Sequence, residues 1–152
     1  MAKAIYFDMD GTIANLYGVD DWLTKLRNFD VSPYEEAQVL LNMQALAHRL
    51  NKLKSLGYTI GIISWTSKES NPTYDQAITK AKIEWLKKHL HSVTFDEIHI
   101  VAYGKKKHKL ARVKNGYLFD DNESVRKAWI KNNREGWAFD ETNILDVLAL
   151  LK

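Results

Sequence analysis

Five short apolar runs, set apart by longer stretches with helical spacing, narrow what this chain can become. The runs cover residues 4–7, 58–63, 97–102, 117–119 and 136–139. Helices are predicted over 35–56, 74–90, 106–113, 123–131 and 143–151. Strands alternating with helices build βαβ units, whose right-handed crossovers give a parallel sheet covered on both faces. The first run is continuously apolar, as a strand buried on both faces requires. The expected fold class is therefore α/β: a three-layer, Rossmann-like domain around a mainly parallel five-stranded sheet. Gly57 stands where a helix C-cap glycine belongs, and Asn71-Pro72-Thr73 opens the helix that carries Ile78, Ile83, Trp85 and Leu86.

A chain of 152 residues is expected to form one domain, here 1–152. At that size it can bury about 70% of its unfolded surface. Hydrophobic residues make up 45% and charged residues 27%, which excludes a disordered or fibrous protein. Cysteine is absent, so neither a disulfide framework nor a thiolate metal site is available, and a reducing compartment fits. No apolar stretch approaches the roughly 20 residues of a membrane span. The opening Met1-Ala2-Lys3-Ala4 lacks the architecture of a signal peptide, so the expected location is cytoplasmic. A net charge of +3 permits an anionic ligand but lacks the concentrated basic face of nucleic-acid binders. Only the segment 15–34 breaks the alternation. It is mixed, aromatic and acidic, holds Tyr17, Trp22 and Phe29, and leaves room for no more than a small helical cap.

The first run ends in two carboxylates, Asp8 and Asp10, followed by Gly11 and Thr12. A central strand has no structural use for two acids at its C-terminal tip, and that edge is where open α/β sheets bind ligands. The second run leads to Ser64 and then Trp65, and the fourth to Asp120, Asp121 and Asn122. Taken alone, Asp120-Asp121 fits helix capping as well as chemistry. Converging carboxylates repel one another unless a cation sits among them. All the candidate ligands are oxygens and no histidines pair at ligand spacing, so the donor set favours Mg²⁺ over zinc. His48, His89, His91 and His99 are scattered and read as core or surface positions. Trp85 and Trp129 fall at helical core spacing. Trp65, beside Ser64, is open to both packing and substrate contact.

Asp8-Met9-Asp10-Gly11-Thr12, a strand leading to Ser64, a later lysine and Asp120-Asp121 together resemble the motifs of the haloacid dehalogenase-like (HAD) superfamily of phosphatases and phosphotransferases. The motifs span the chain from Asp8 to Asp121. By that resemblance Asp8 is the nucleophile that becomes an aspartyl phosphate, and Asp10 protonates the leaving oxygen and then activates water. The resemblance also implies Mg²⁺ held by Asp8, the Asp10 main-chain carbonyl and Asp120, with Asp121 helping directly or through water. Ser64 and a lysine would bind the phosphoryl group, with Gly11, Thr12 and Trp65 around the substrate. Four lysines lie in 105–109; Lys107 is the first choice and Lys105 the second.

The implied activity is Mg-dependent hydrolysis of a small phosphorylated substrate. The short segment after Thr12 departs from members with a large cap, and its aromatics make a nucleotide attractive, as in small 5′(3′)-deoxyribonucleotidase-like members. Alternatives are a phosphatase of nucleic-acid ends or phosphoprotein guided by the basic run and Arg112, a phosphotransferase, and a non-catalytic binding protein on the same scaffold. The intact Asp8, Asp10, Ser64 and Asp120 argue against the last of these.

Overall fold

The computed structural model describes residues 3–152; Met1 and Ala2, and with them the start of the expected domain range 1–152, lie outside the described residues. Five strands form one parallel sheet: β1 (Ala4–Phe7), β4 (Thr59–Trp65), β5 (Glu97–Val101), β6 (Tyr117–Phe119) and β7 (Trp137–Phe139), ordered β5-β4-β1-β6-β7. Strand β1 is central and wholly buried, which explains its unbroken apolar run. Its side chains alternate between two cores. Ile5 and Phe7 face the larger cluster with Leu46, Leu50, Trp85 and Leu148, while Ala4 and Tyr6 face a smaller one built on Trp129.

Helices α3 (Met43–Ser55), α4 (Pro72–His89) and α7 (Ile144–Leu150) supply the first core, and α5 (Lys107–Leu110) and α6 (Glu123–Asn132) flank the second. The result is the expected three-layer α/β fold. No helix among the described residues is long and apolar enough to cross a membrane.

The sequence pattern misleads between residues 32 and 56. Instead of one helix over 35–56, the chain forms α2 (Ser32–Glu36), a two-residue strand β3 (Gln38–Val39), and only then α3. Strand β3 pairs antiparallel with β2 (Ala14–Asn15), and Asn42 Oδ1 accepts from Ala45 N at 2.9 Å to cap α3. The hairpin is thus the stem of an insertion that holds a 3₁₀ turn (Leu16–Gly18), α1 (Trp22–Arg27) and α2. The insertion packs on α4 through Leu16, Leu26 and Tyr34 against Tyr74, Ile78 and Ala81. The Tyr74 hydroxyl also donates to the Asp30 carbonyl at 2.7 Å. The insertion is therefore packed against an apolar face of α4.

Register sets the positions at the ligand-binding edge. Phe7 pairs with Phe119, so Asp8 and Asp120 leave their strands side by side. Phe7 also pairs with Ile62, and β4 continues beyond that level to Trp65. Ser64 therefore still lies inside β4, paired with Ile100, and Thr66 is the first residue outside it.

Candidate active site

The loop after β1 winds tightly. The main-chain N–H groups of Thr12, Ile13 and Ala14 all donate to the Met9 carbonyl at 2.9–3.1 Å. Gly11 turns this loop at φ +79°, a left-handed conformation, and a Cβ there would collide with the Asp121 carboxylate and the Tyr17 ring. Thr12, fully buried, donates to Asp8 Oδ2 at 3.2 Å and accepts from Asp121 N at 3.1 Å. It braces the two acidic loops and does not reach the cavity as a substrate contact would.

Lys107 opens the short helix α5. Its Nζ lies 2.9 Å from Asp8 Oδ1 and 2.7 Å from Asp120 Oδ2, nearly excluded from water. Burial pulls the ammonium toward neutrality, but the two carboxylates outweigh it and hold the Lys107 pKa above its ordinary value. The placement of α5 is anchored from behind. Buried Glu97 accepts from Tyr6 Oη at 2.6 Å and from Arg112 N at 3.0 Å, and Tyr6 Oη accepts from Val113 N at 3.1 Å. Lys105 is exposed and meets the site only through its carbonyl, which accepts from Trp65 Nε1 at 2.9 Å. The Trp65 ring lies over Lys107, 5.0 Å from Nζ.

Asp8, Asp120 and Asp121 bring carboxylate oxygens within 4.8 Å of one another, the one group among the described residues that could hold a metal ion. Burial, reinforced by the Asp8 charge, pushes Asp120 up to about 6 and Asp121 up to about 8. Neither caps α6: that task falls to Asn122, whose Oδ1 accepts from Val125 N at 3.3 Å. The histidines are absent from the cluster, and His99 instead pairs with Glu97 at 2.9 Å.

Asp10 turns away from the acidic trio. Its Oδ2 accepts from Lys82 Nζ at 2.8 Å, and the same ammonium donates to Ser64 Oγ and the Trp65 carbonyl, both at 2.7 Å. Burial raises the Asp10 pKa against the pull of Lys82. Ser64, fully buried, is thus a partner of Lys82 and does not line the cavity above Asp8. Thr66 does line it, and its Oγ1 is the one buried side-chain polar atom among the described residues without a hydrogen-bond partner. Because β4 runs two residues further than its apolar pattern suggests, the hydroxyl at the strand exit is that of Thr66.

The cavity at Asp8, of about 110 Å³, opens beside a larger one of about 300 Å³ under the insertion, and Asp10, Tyr17, Thr66 and Tyr103 line both. The larger cavity adds Trp22, Tyr34, Arg27 and Lys68. Sequence reasoning missed Thr66, Tyr103 and Lys82. The sign of Lys82 was present: it falls four residues from both Ile78 and Leu86 in the buried stripe of α4, where a lysine needs a partner.

The sheet order and the acidic edge define the class: a three-layer α/β fold with carboxylates at the C-terminal tips of its central strands, shared with solved phosphatases. No family model matches the sequence, and no curated protein matches it. Among solved structures it is similar to D,D-heptose 1,7-bisphosphate phosphatase from Burkholderia thailandensis, with 11% identity, a TM-score of 0.54, and 97% of this chain and 96% of that one covered. It is also similar to D,D-heptose 1,7-bisphosphate phosphatase from B. bronchiseptica, solved with magnesium and phosphate, at 15% identity, a TM-score of 0.57 and the same coverage. At these identities the likeness is one of fold.

Proposed function

We propose that the protein is a phosphatase that hydrolyses a phosphate monoester through an aspartyl phosphate on Asp8. The observation that carries this reading is a carboxylate at the tip of the central strand, held by a buried lysine beside two further acids and below an unpartnered hydroxyl, Thr66 Oγ1. An Asp8 oxygen attacks phosphorus as the bond to the leaving oxygen breaks, and Asp10 gives that oxygen its proton. Water then attacks the acyl phosphate and yields its proton to Asp10, releasing inorganic phosphate and restoring Asp8. Lys107 and Thr66 hold the phosphoryl oxygens where negative charge spreads in the transition state.

The donor set fits Mg²⁺: all oxygen, closely gathered, and costly to ionise without a cation. Asp8, Asp120 and Asp121, with the Asp10 carbonyl, would hold the ion, which supplies charge neutralisation at the phosphoryl group. That a fold neighbour was solved with magnesium and phosphate supports this reading.

The larger cavity favours a nucleoside monophosphate. Tyr17, Trp22, Tyr34 and Tyr103 offer ring faces and edges beside Asp10, and Arg27 and Lys68 place positive charge at the rim. The test is Mg²⁺-dependent release of phosphate from a panel of esters that includes nucleoside 5′- and 3′-monophosphates, by wild type and by Asp8→Asn. Activity that Asp8→Asn abolishes is expected. Equal inactivity of both across the panel would exclude the reading.

A further inference from the structure

The reaction above leaves a buried lysine beside the site without a task. Lys82 is 1% exposed on the inner face of α4. An ammonium has three N–H donors, and all three are committed: to Asp10 Oδ2 at 2.8 Å, Ser64 Oγ at 2.7 Å and the Trp65 carbonyl at 2.7 Å. The Tyr34 ring of the insertion covers it, 5.2 Å from Nζ to the ring centre. A buried ion pair is a poor source of net stability, since desolvation of both charges offsets their attraction. Filling this position with an apolar residue, as at its neighbours Ile78 and Leu86, would be the simpler way to close the core.

We infer that Lys82 is a positioning residue for proton transfer. Resting on the phosphatase reading, it fixes the carboxyl group of Asp10 by one oxygen and leaves the other to meet the leaving group. Through the Trp65 carbonyl it also fixes the turn that presents Thr66. Lys107 and Lys82 thus divide the work. The first holds the nucleophile and the second holds the proton donor. Because Lys82 never faces the phosphoryl group, its contribution passes through Asp10.

A lysine with this task matters in proportion to how much the leaving group needs a proton. The experiment compares kcat/KM of wild type and Lys82→Met on an alkyl phosphate, a poor leaving group, and on p-nitrophenyl phosphate, whose leaving group departs as a stable anion. General acid catalysis contributes about 10²–10⁴-fold. Lys82→Met should lose roughly 10²-fold on the alkyl ester, and at least about ten times less on the aryl ester.

In an Asp10→Asn background the same substitution should add under about threefold on the alkyl ester, since residues acting as a unit are not additive. Asp10→Asn/Lys82→Met also removes both buried charges, so it keeps the test alive if Lys82→Met alone does not fold. Equal losses on the two esters, or a full independent loss in the Asp10→Asn background, would overturn the inference. Wild-type activity that Asp8→Asn abolishes and Lys82→Met leaves intact would overturn it too, without touching the phosphatase reading. An inactive wild type would overturn both.

Discussion

Lys107 Nζ lies 2.9 Å from Asp8 Oδ1, joining two residues 99 positions apart in the chain. Both are largely withdrawn from water, and the lysine extends the pair to Asp120. Removing one partner of such a pair leaves an uncompensated buried charge. Three features of the fold bring the two together: the register of β1 with β6, the short helix α5, and the Glu97–Tyr6 bonds that anchor the segment after it.

The choice among the clustered lysines follows from that contact. Lys107→Ala should lower kcat by roughly 10²–10³-fold, the usual loss of one transition-state donor. Lys105, exposed, should tolerate alanine with a change within about 0.5 kcal/mol. Steady-state kinetics of the two variants on one ester decides the matter. A severe loss at Lys105 with a mild one at Lys107 would refute the assignment.

Ser64 and Thr66 should fail in different ways. Ser64→Ala leaves a Lys82 donor unsatisfied in the core and should cost about 1–3 kcal/mol of stability, read by denaturant unfolding. Thr66→Ala breaks no hydrogen bond in the fold, so its unfolding midpoint should hold while kcat/KM falls about tenfold or more. The opposite pattern would return the phosphoryl contact to Ser64.

The insertion makes its own prediction. Base stacking on an aromatic ring is worth about 1–3 kcal/mol. Trp22→Ala, which opens the larger cavity, should therefore raise KM for a nucleoside monophosphate by roughly five- to 150-fold at nearly constant kcat. KM for a small alkyl phosphate should stay near wild type. Equal effects on both substrates would count against a nucleotide in this cavity.

The acidic trio predicts how stability responds to pH. Asp120 and Asp121 titrate near 6 and 8 in the folded protein, against 3.8 ordinarily, so between those values the folded state binds more protons than the unfolded. Stability of the metal-free protein is then fullest below about pH 4 for these groups and falls as pH rises toward about 8. Thermal melts in a chelator should show the fall, and Asp121→Asn should flatten it. Mg²⁺ at about a hundred times its Kd at alkaline pH should restore about 2.7 kcal/mol there, and the same concentration should raise Tm less at acidic pH, where protons compete for the carboxylates. A metal-free protein that grows more stable between pH 5 and 8 in proportion to Asp121 would contradict the sign.

Much of this was legible in the chain. An apolar run that ends in Asp8 and Asp10 announces a buried parallel strand with its chemistry at the tip, because only that edge of an open sheet lies free of helices. The break at Ala37 was not legible. Residues around it carry apolar side chains at spacings a helix would accept, and it is pairing with Ala14 and Asn15 that pulls Gln38 and Val39 into a strand. Local pattern loses there to a contact between segments more than twenty residues apart.

The sequence by itself determined the succession of the five sheet strands along the chain, the acids at the tips of β1 and β6, and the absence of any thiolate ligand. Each is a property of composition and period, which local physics reads directly. Only the tertiary structure decided that Thr66 and not Ser64 meets the cavity, that Lys107 reaches Asp8, and that Lys82 grips Asp10 from within the core. Those outcomes depend on how far β4 runs past β1 and on which face α4 turns inward. Such relations are set by packing across the sheet, and no window along the chain contains them.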